Sequence, residues 1–152
     1  MKKYIISLFL AITTLAVNAQ PAVKGYALGM QQEEPIIQKG SLTVAGYDGI
    51  LLAQGDERLK TVAIMFVSSE DISKDDLPLF VNAVSARYGV EMKESDSGIW
   101  NYHGISEDEK YYFNVKIDHS DLADLKLVFT VADVSWLDKK SEEKARERAG
   151  DF

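Results

Sequence analysis

From Lys110 to Asp118 the chain alternates with a period of two. Tyr111, Phe113, Val115 and Ile117 point one way, and Tyr112, Asn114, Lys116 and Asp118 the other. That pattern describes a strand with one face on a core. Leu125 to Val134 repeats it, with Leu125, Leu127, Phe129 and Val131 on one face. The loops Gly104 to Glu109 and His119 to Asp124 are short enough to join antiparallel neighbours. Against these strands stands one clear helix. Leu77, Phe80, Val81, Val84 and Tyr88 form a single apolar stripe at helical spacing. Asp75 or Asp76 is placed to cap it, Pro78 falls in its first turn, and Gly89 supplies the left-handed stop. The fold expected is α+β: a mostly antiparallel sheet of five or six strands, one amphipathic helix packed on a face from about Asp76 to Tyr88, and a peripheral C-terminal helix.

The remaining strands are read from β-prone runs between turn signals. Ser41 to Ala45 and Gly49 to Ala53 flank Gly46-Tyr47-Asp48, which is either a tight turn or a bulge in one long strand. Gln54 to Glu57 is a turn. In Arg58 to Val67 the residues Val62, Ile64 and Phe66 oppose Leu59, Ala63, Met65 and Val67. Both faces read as partly buried, so this strand is expected in the middle of the sheet. Ile99 to His103 carries Trp100 and Tyr102 on one face. Pro21 to Met30 reads as an extended opening segment with an edge strand around Tyr26, Ala27 and Leu28. Gln31 to Lys39 suits a short helix except for Pro35 in its middle. Residues 138–152 read as a polar helical tail, either a solvated helix capped by Asp138 or Ser141 and anchored by Trp136 and Leu137, or a partly disordered segment.

The N-terminal segment has a different logic. Lys2 and Lys3 precede an apolar run from Ile5 to Val17, and Val17-Asn18-Ala19 places small residues ahead of Gln20. This is the order of a secretory signal peptide, residues 1–19, cleaved after Ala19. An apolar run of about thirteen residues is short for a membrane span of about twenty. Residues 20–152 then form a single exported domain with no stable membrane insertion. The chain has no cysteine, which excludes a lipid anchor on Gln20, thiol catalysis and cysteine-based zinc sites. Loss of Lys2 and Lys3 takes the 17 basic residues to 15 against 24 acidic, a net charge of −9. Such a charge opposes nucleic acid and anionic lipid surfaces.

Candidate chemistry is sparse. The two histidines are His103 and His119, the latter in Asp118-His119-Ser120-Asp121. Adjacent loop residues rarely converge on one reacting atom, and Asp and Ser are ordinary turn formers. A two-histidine metal site requires the two loops to meet and further ligands to join them. Glu33-Glu34, Glu70-Asp71 and Glu107-Asp108-Glu109 read as solvated loop charge. Asp71 to Asp76 lacks the turn glycine and closing Glu of a calcium loop. No phosphate loop, nucleophile elbow or zinc-protease helix is present, and no cofactor is implied. The aromatic concentration at Trp100, Tyr102 and Tyr112, with His103 beside it, is the candidate ligand-binding set. The competing reading of these aromatics is cross-strand packing.

Gly25-Tyr26-Ala27-Leu28-Gly29-Met30, with the later Trp100-Asn101-Tyr102, resembles small envelope domains of the outer-membrane assembly lipoprotein type. The chain departs from that family by lacking the lipid-bearing cysteine and by the strand pair and helix between the two motifs. No functional residue carries over. The Ala19-Gln20 junction is similar to exported proteins of Gram-negative Bacteroidetes, which implies periplasm or exterior. The function expected is a non-catalytic binding or protein-interaction module of the cell envelope, with an unknown protein or small-molecule partner. The alternative is a small secreted hydrolase using His119 or His103 with nearby carboxylates. A bare apolar sheet face would imply a homodimer or another partner.

Overall fold

The computed structural model describes residues 20–96, 98–120 and 124–151. Residues 1–19, expected above to be a signal peptide, and Asp121 and Phe152 lie outside these residues. The elements are β1 (Ala22–Val23), β2 (Tyr26–Ala27), β3 (Ile36–Val44), β4 (Tyr47–Gly55), β5 (Thr61–Asp71), α1 (Leu77–Tyr88), β6 (Lys93–Glu94), β7 (Asn101–Ile105), β8 (Tyr111–Asp118), β9 (Lys126–Asp133) and α2 (Val134–Ala149). Strands β3 to β9 make one seven-stranded antiparallel sheet in the order β3-β4-β5-β9-β8-β7-β6, and β1 and β2 make a separate hairpin. The α+β class and the antiparallel sheet are as expected, but the sheet has seven strands, not five or six.

The added strand is β6 at Lys93–Glu94, and β3 begins at Ile36, within the stretch Gln31 to Lys39 that suits a short helix except for Pro35. Gln31 instead bridges to Lys60. Pro35 has no N–H to give a helix, and its carbonyl accepts from Gly55 N at 2.8 Å. Gln32 turns its amide inward, where Nε2 donates to Ala53 O at 3.3 Å and Oε1 accepts from Thr61 Oγ1 at 2.7 Å. The Gly46 break is a turn and not a bulge. Ala45 and Gly46, both at positive φ, connect β3 to β4, and Tyr47 and Asp48 belong to β4. The edge strand expected around Tyr26 is instead half of the β1–β2 hairpin.

Cross-strand register assigns the faces. Leu51, Phe66, Phe129, Val115 and Tyr102 form one row across β4, β5, β9, β8 and β7. Ala53, Ile64, Val131, Phe113 and Gly104 form the next. This inner face carries the buried core, closed by Leu77, Phe80, Val81 and Val84 of α1 and by Val23 and Leu28 around the hairpin. β5 is interior to the sheet, as the apolar character of both its faces implied.

α1 ends where Gly89 adopts φ 66° and donates to Ser85 O at 2.9 Å. Its start differs from expectation. Asp76 has helical dihedrals and makes no side-chain cap bond. Burial, and then a hydrogen bond with Asp76, hold the Tyr47 hydroxyl above its usual pKa. α2 begins four residues before the expected position, because extended Asp133 caps it by accepting from Trp136 N at 3.0 Å. Peripheral it is, with no buried residue.

The β5–β9 ladder is interrupted between Val67 and Asp71. There the Ser68 hydroxyl stands in for a strand carbonyl. It accepts from Leu127 N at 2.9 Å and donates to Glu70 O at 2.8 Å. Ser68 and Leu127 are both buried. Ser68→Ala strands the Leu127 N–H, and the expected loss is about 1–3 kcal/mol, read from urea unfolding of the two proteins.

Candidate functional site

The four residues picked from the sequence do not share a surface. Tyr102 lies opposite Val115 on the inner face, and both it and Trp100 pack against the core. Trp100 precedes β7 at φ 56°, and its carbonyl accepts from Ile117 N at 3.0 Å. His103 lies opposite Asn114, and Tyr112 opposite Ile105 and Ala132, all on the outer face. Burial raises the Tyr112 hydroxyl pKa. Tyr112 and Tyr102 share the part-buried state of Tyr111, so only Phe113 is more enclosed.

The histidines are also apart. The His119 ring meets the Trp100 indole edge at 5.6 Å, with Lys74 Nζ 5.5 Å from the indole centroid. His103 sits in β7 opposite Asn114, and the five residues from Asn114 to His119 span about 16 Å of strand. Among the described residues no group of three or more His, Asp or Glu is placed to hold a metal ion.

An open cavity of about 420 Å³ lies between the β4–β5 turn and the start of α2, lined among others by Asp56, Lys60, Trp136 and Lys139. Its charges are mostly spent locally. Lys139 pairs with Glu57 at 2.7 Å. Backbone N–H groups, that of Lys60 foremost, hold the Asp56 carboxyl below the usual range.

The feature that sequence reasoning missed is the outer face of the sheet. Three rows cross it: Gln54, Ala63, Ala132, Tyr112 and Ile105; Leu52, Met65, Thr130, Asn114 and His103; Ile50, Val67, Val128, Lys116 and Asn101. None of these positions is a carboxylate, in a chain with 24 acidic residues. Asp48 and Asp118 lie beyond the third row, at one end of the face. Ile36, Met65 and Ile105 are exposed by 56%, 37% and 51%, and register puts all three on this face. Its apolar residues are not part of the core cluster, although Val128 and Ala132 are buried. The sequence signal was there in Ile50, Leu52, Met65, Val67 and Val128. What it lacked was the register that sets them side by side.

The fold and this surface define an α+β protein whose sheet is covered on one face by α1 and the β1–β2 hairpin, and whose other face is apolar on β4, β5 and β9 and polar toward β8 and β7. Comparison with protein-family models, with curated proteins and with solved structures finds no match. No helix among the described residues is long and apolar enough to cross a membrane.

Proposed function

We propose that the chain is an exported, non-enzymatic interaction module of the cell envelope that pairs with a second copy of itself through the outer face of its sheet. The observation that carries this reading is the acid-free apolar face. Exposed apolar patches of a few hundred Å² often mark interaction sites, and Ile36, Met65 and Ile105 are exposed on this one. The sheet's strands have 9, 9, 11, 2, 5, 8 and 8 residues. At about 3.3 by 4.8 Å per residue the whole sheet spans a plane of about 800 Å², of which the three acid-free rows across five strands cover about 480 Å².

Net charge opposes a second copy, and the acid-free rows are what lets two like-charged chains meet. The full chain is net −7 and the proposed exported domain −9, so self-association is opposed wherever carboxylates meet. A two-fold axis across the strands lays the central acid-free row of one copy on that of the other and sets the Asp48 and Asp118 end of each copy away from the same end of its partner. Face-to-face sheets pack about 10 Å apart with their side chains interdigitated, and the exposed Met65 suits such a contact, being unbranched and adaptable. The signal-like order of residues 1–19 supports export to the periplasm or beyond.

The absence of cysteine permits a clean test. Met65→Cys places one thiol near the centre of the face, and Leu79→Cys places one on α1, at a position 66% exposed. With a short bis-maleimide at micromolar protein, Met65→Cys is expected to cross-link as a dimer and Leu79→Cys to stay monomeric. Equal cross-linking of both variants, or of neither, contradicts the reading.

A further inference from the structure

We propose that the seam between α1, the β1–β2 hairpin and the β3–β4 turn binds a single-chain amphiphile with an anionic head, a long-chain carboxylate. α1 has 12 residues and is about 18 Å long, whereas seven strands span about 29 Å. One helix cannot roof such a sheet. The hairpin covers a further part, and a seam is left where the two roofing pieces meet. It is an open cavity of about 400 Å³, within the size range of apolar ligand pockets and better suited to one acyl chain than to two.

The seam is apolar below and cationic at its rim. Phe80, Val84 and Phe129, all buried, line its floor. Ala22, Ala45 and Ala83, all small, line the seam as well. The charged lining residues are Lys24 and Arg87, both cations, in a chain where acidic residues outnumber basic ones 24 to 17. Backbone geometry holds both in place. Lys24 at φ 49° and Gly25 at φ 85° form the two-residue turn between Val23 and Tyr26, so Lys24 stands at the hairpin tip. Arg87 lies over the Tyr88 ring at 5.8 Å, and the Tyr88 hydroxyl donates to Ala22 O at 2.8 Å, tying the helix to the hairpin. A carboxylate at this rim gains charge-assisted hydrogen bonds, while each methylene of its tail leaves water for the floor.

Calorimetric titration of the protein with dodecanoate, below its micelle concentration, tests the proposal. Saturable one-to-one binding is expected, weakened about tenfold or more by the Lys24→Glu/Arg87→Glu pair. Ala83→Phe, which fills the seam, is expected to weaken it as much. Dodecyltrimethylammonium carries the same tail on a cationic head and should bind about tenfold more weakly. Met65→Glu, on the opposite face, should leave dodecanoate affinity unchanged, which separates this site from the self-association surface. If the paired variant melts lower than the parent, Arg87→Gln serves in its place, with a smaller loss in the same direction. Absence of saturable binding, equal affinity for the two amphiphiles, or a loss in Met65→Glu with none in the seam variants would overturn the proposal.

Discussion

Phe129→Ala should lower the unfolding free energy by about 3–5 kcal/mol, the largest loss expected from a single truncation in this chain. β9 is the middle strand of seven, and Phe129 is 2% exposed on its inner face. Its ring meets Phe80 edge-on at 5.7 Å and Tyr88 at 6.1 Å, and its cross-strand neighbours are Phe66 and Val115. Truncation therefore opens a cavity where the sheet and α1 meet, bounded by aromatic groups already engaged with one another. Little can collapse into it, which places the cost in the upper part of the range. The check is a urea titration at fixed pH, with the midpoint falling and the slope unchanged. A loss below about 1 kcal/mol would mean that the core centres elsewhere.

Gly49→Val acts by the opposite mechanism. Gly49 lies on the inner face of β4 opposite Leu42 and Ser68, and the Phe66 ring leans over it. A Cβ added there would approach Phe66 ring carbons at 2.7 Å and collide with the Val67 carbonyl. The ring can rotate only into packed core, and the carbonyl belongs to the adjacent strand, so neither gives way cheaply. Overpacking of this kind costs about 3 kcal/mol. Gly46→Ala gives the contrast, since nothing lies within 4 Å of its added Cβ and its cost comes from a φ of 88° alone. Thermal unfolding of the two variants should show the larger shift for Gly49→Val. The reverse order would remove the close approach of Phe66 as the reason for this glycine.

These two residues mark what a single sequence reveals of this fold. Phe129 was legible, because Leu125, Leu127, Phe129 and Val131 alternate and only one side of such a strand can meet a helix stripe. Gly49 was legible only as a break, because its constraint is the ring of Phe66 on the next strand. The start of β3 was misread because Gln31 to Lys39 has helical composition. Its fate is decided by Pro35 and by the Gln32 amide reaching Thr61, 29 residues away. Trp100, Tyr102, His103 and Tyr112 look like one cluster in the sequence. Alternation sends Tyr102 inward and His103 outward, and the parity rule alone does not say which face α1 covers. The outer face was hidden for a related reason. An apolar second face on β5 reads the same whether another layer of this chain or a second molecule covers it. The seam at Lys24 and Arg87 joins segments 63 residues apart, which no local pattern connects.

The central claim is that the acid-free face of the sheet is an interface between two copies, and the solution mass of the protein tests it most directly. Sedimentation equilibrium across micromolar to hundred-micromolar concentrations should give twice the chain mass for the parent protein. Met65→Glu should return it to the mass of one chain at an unchanged melting temperature, measured at a concentration where both proteins are monomeric. A parent protein that stays at the mass of one chain over the whole range would contradict the account, and so would a dimer that Met65→Glu leaves intact.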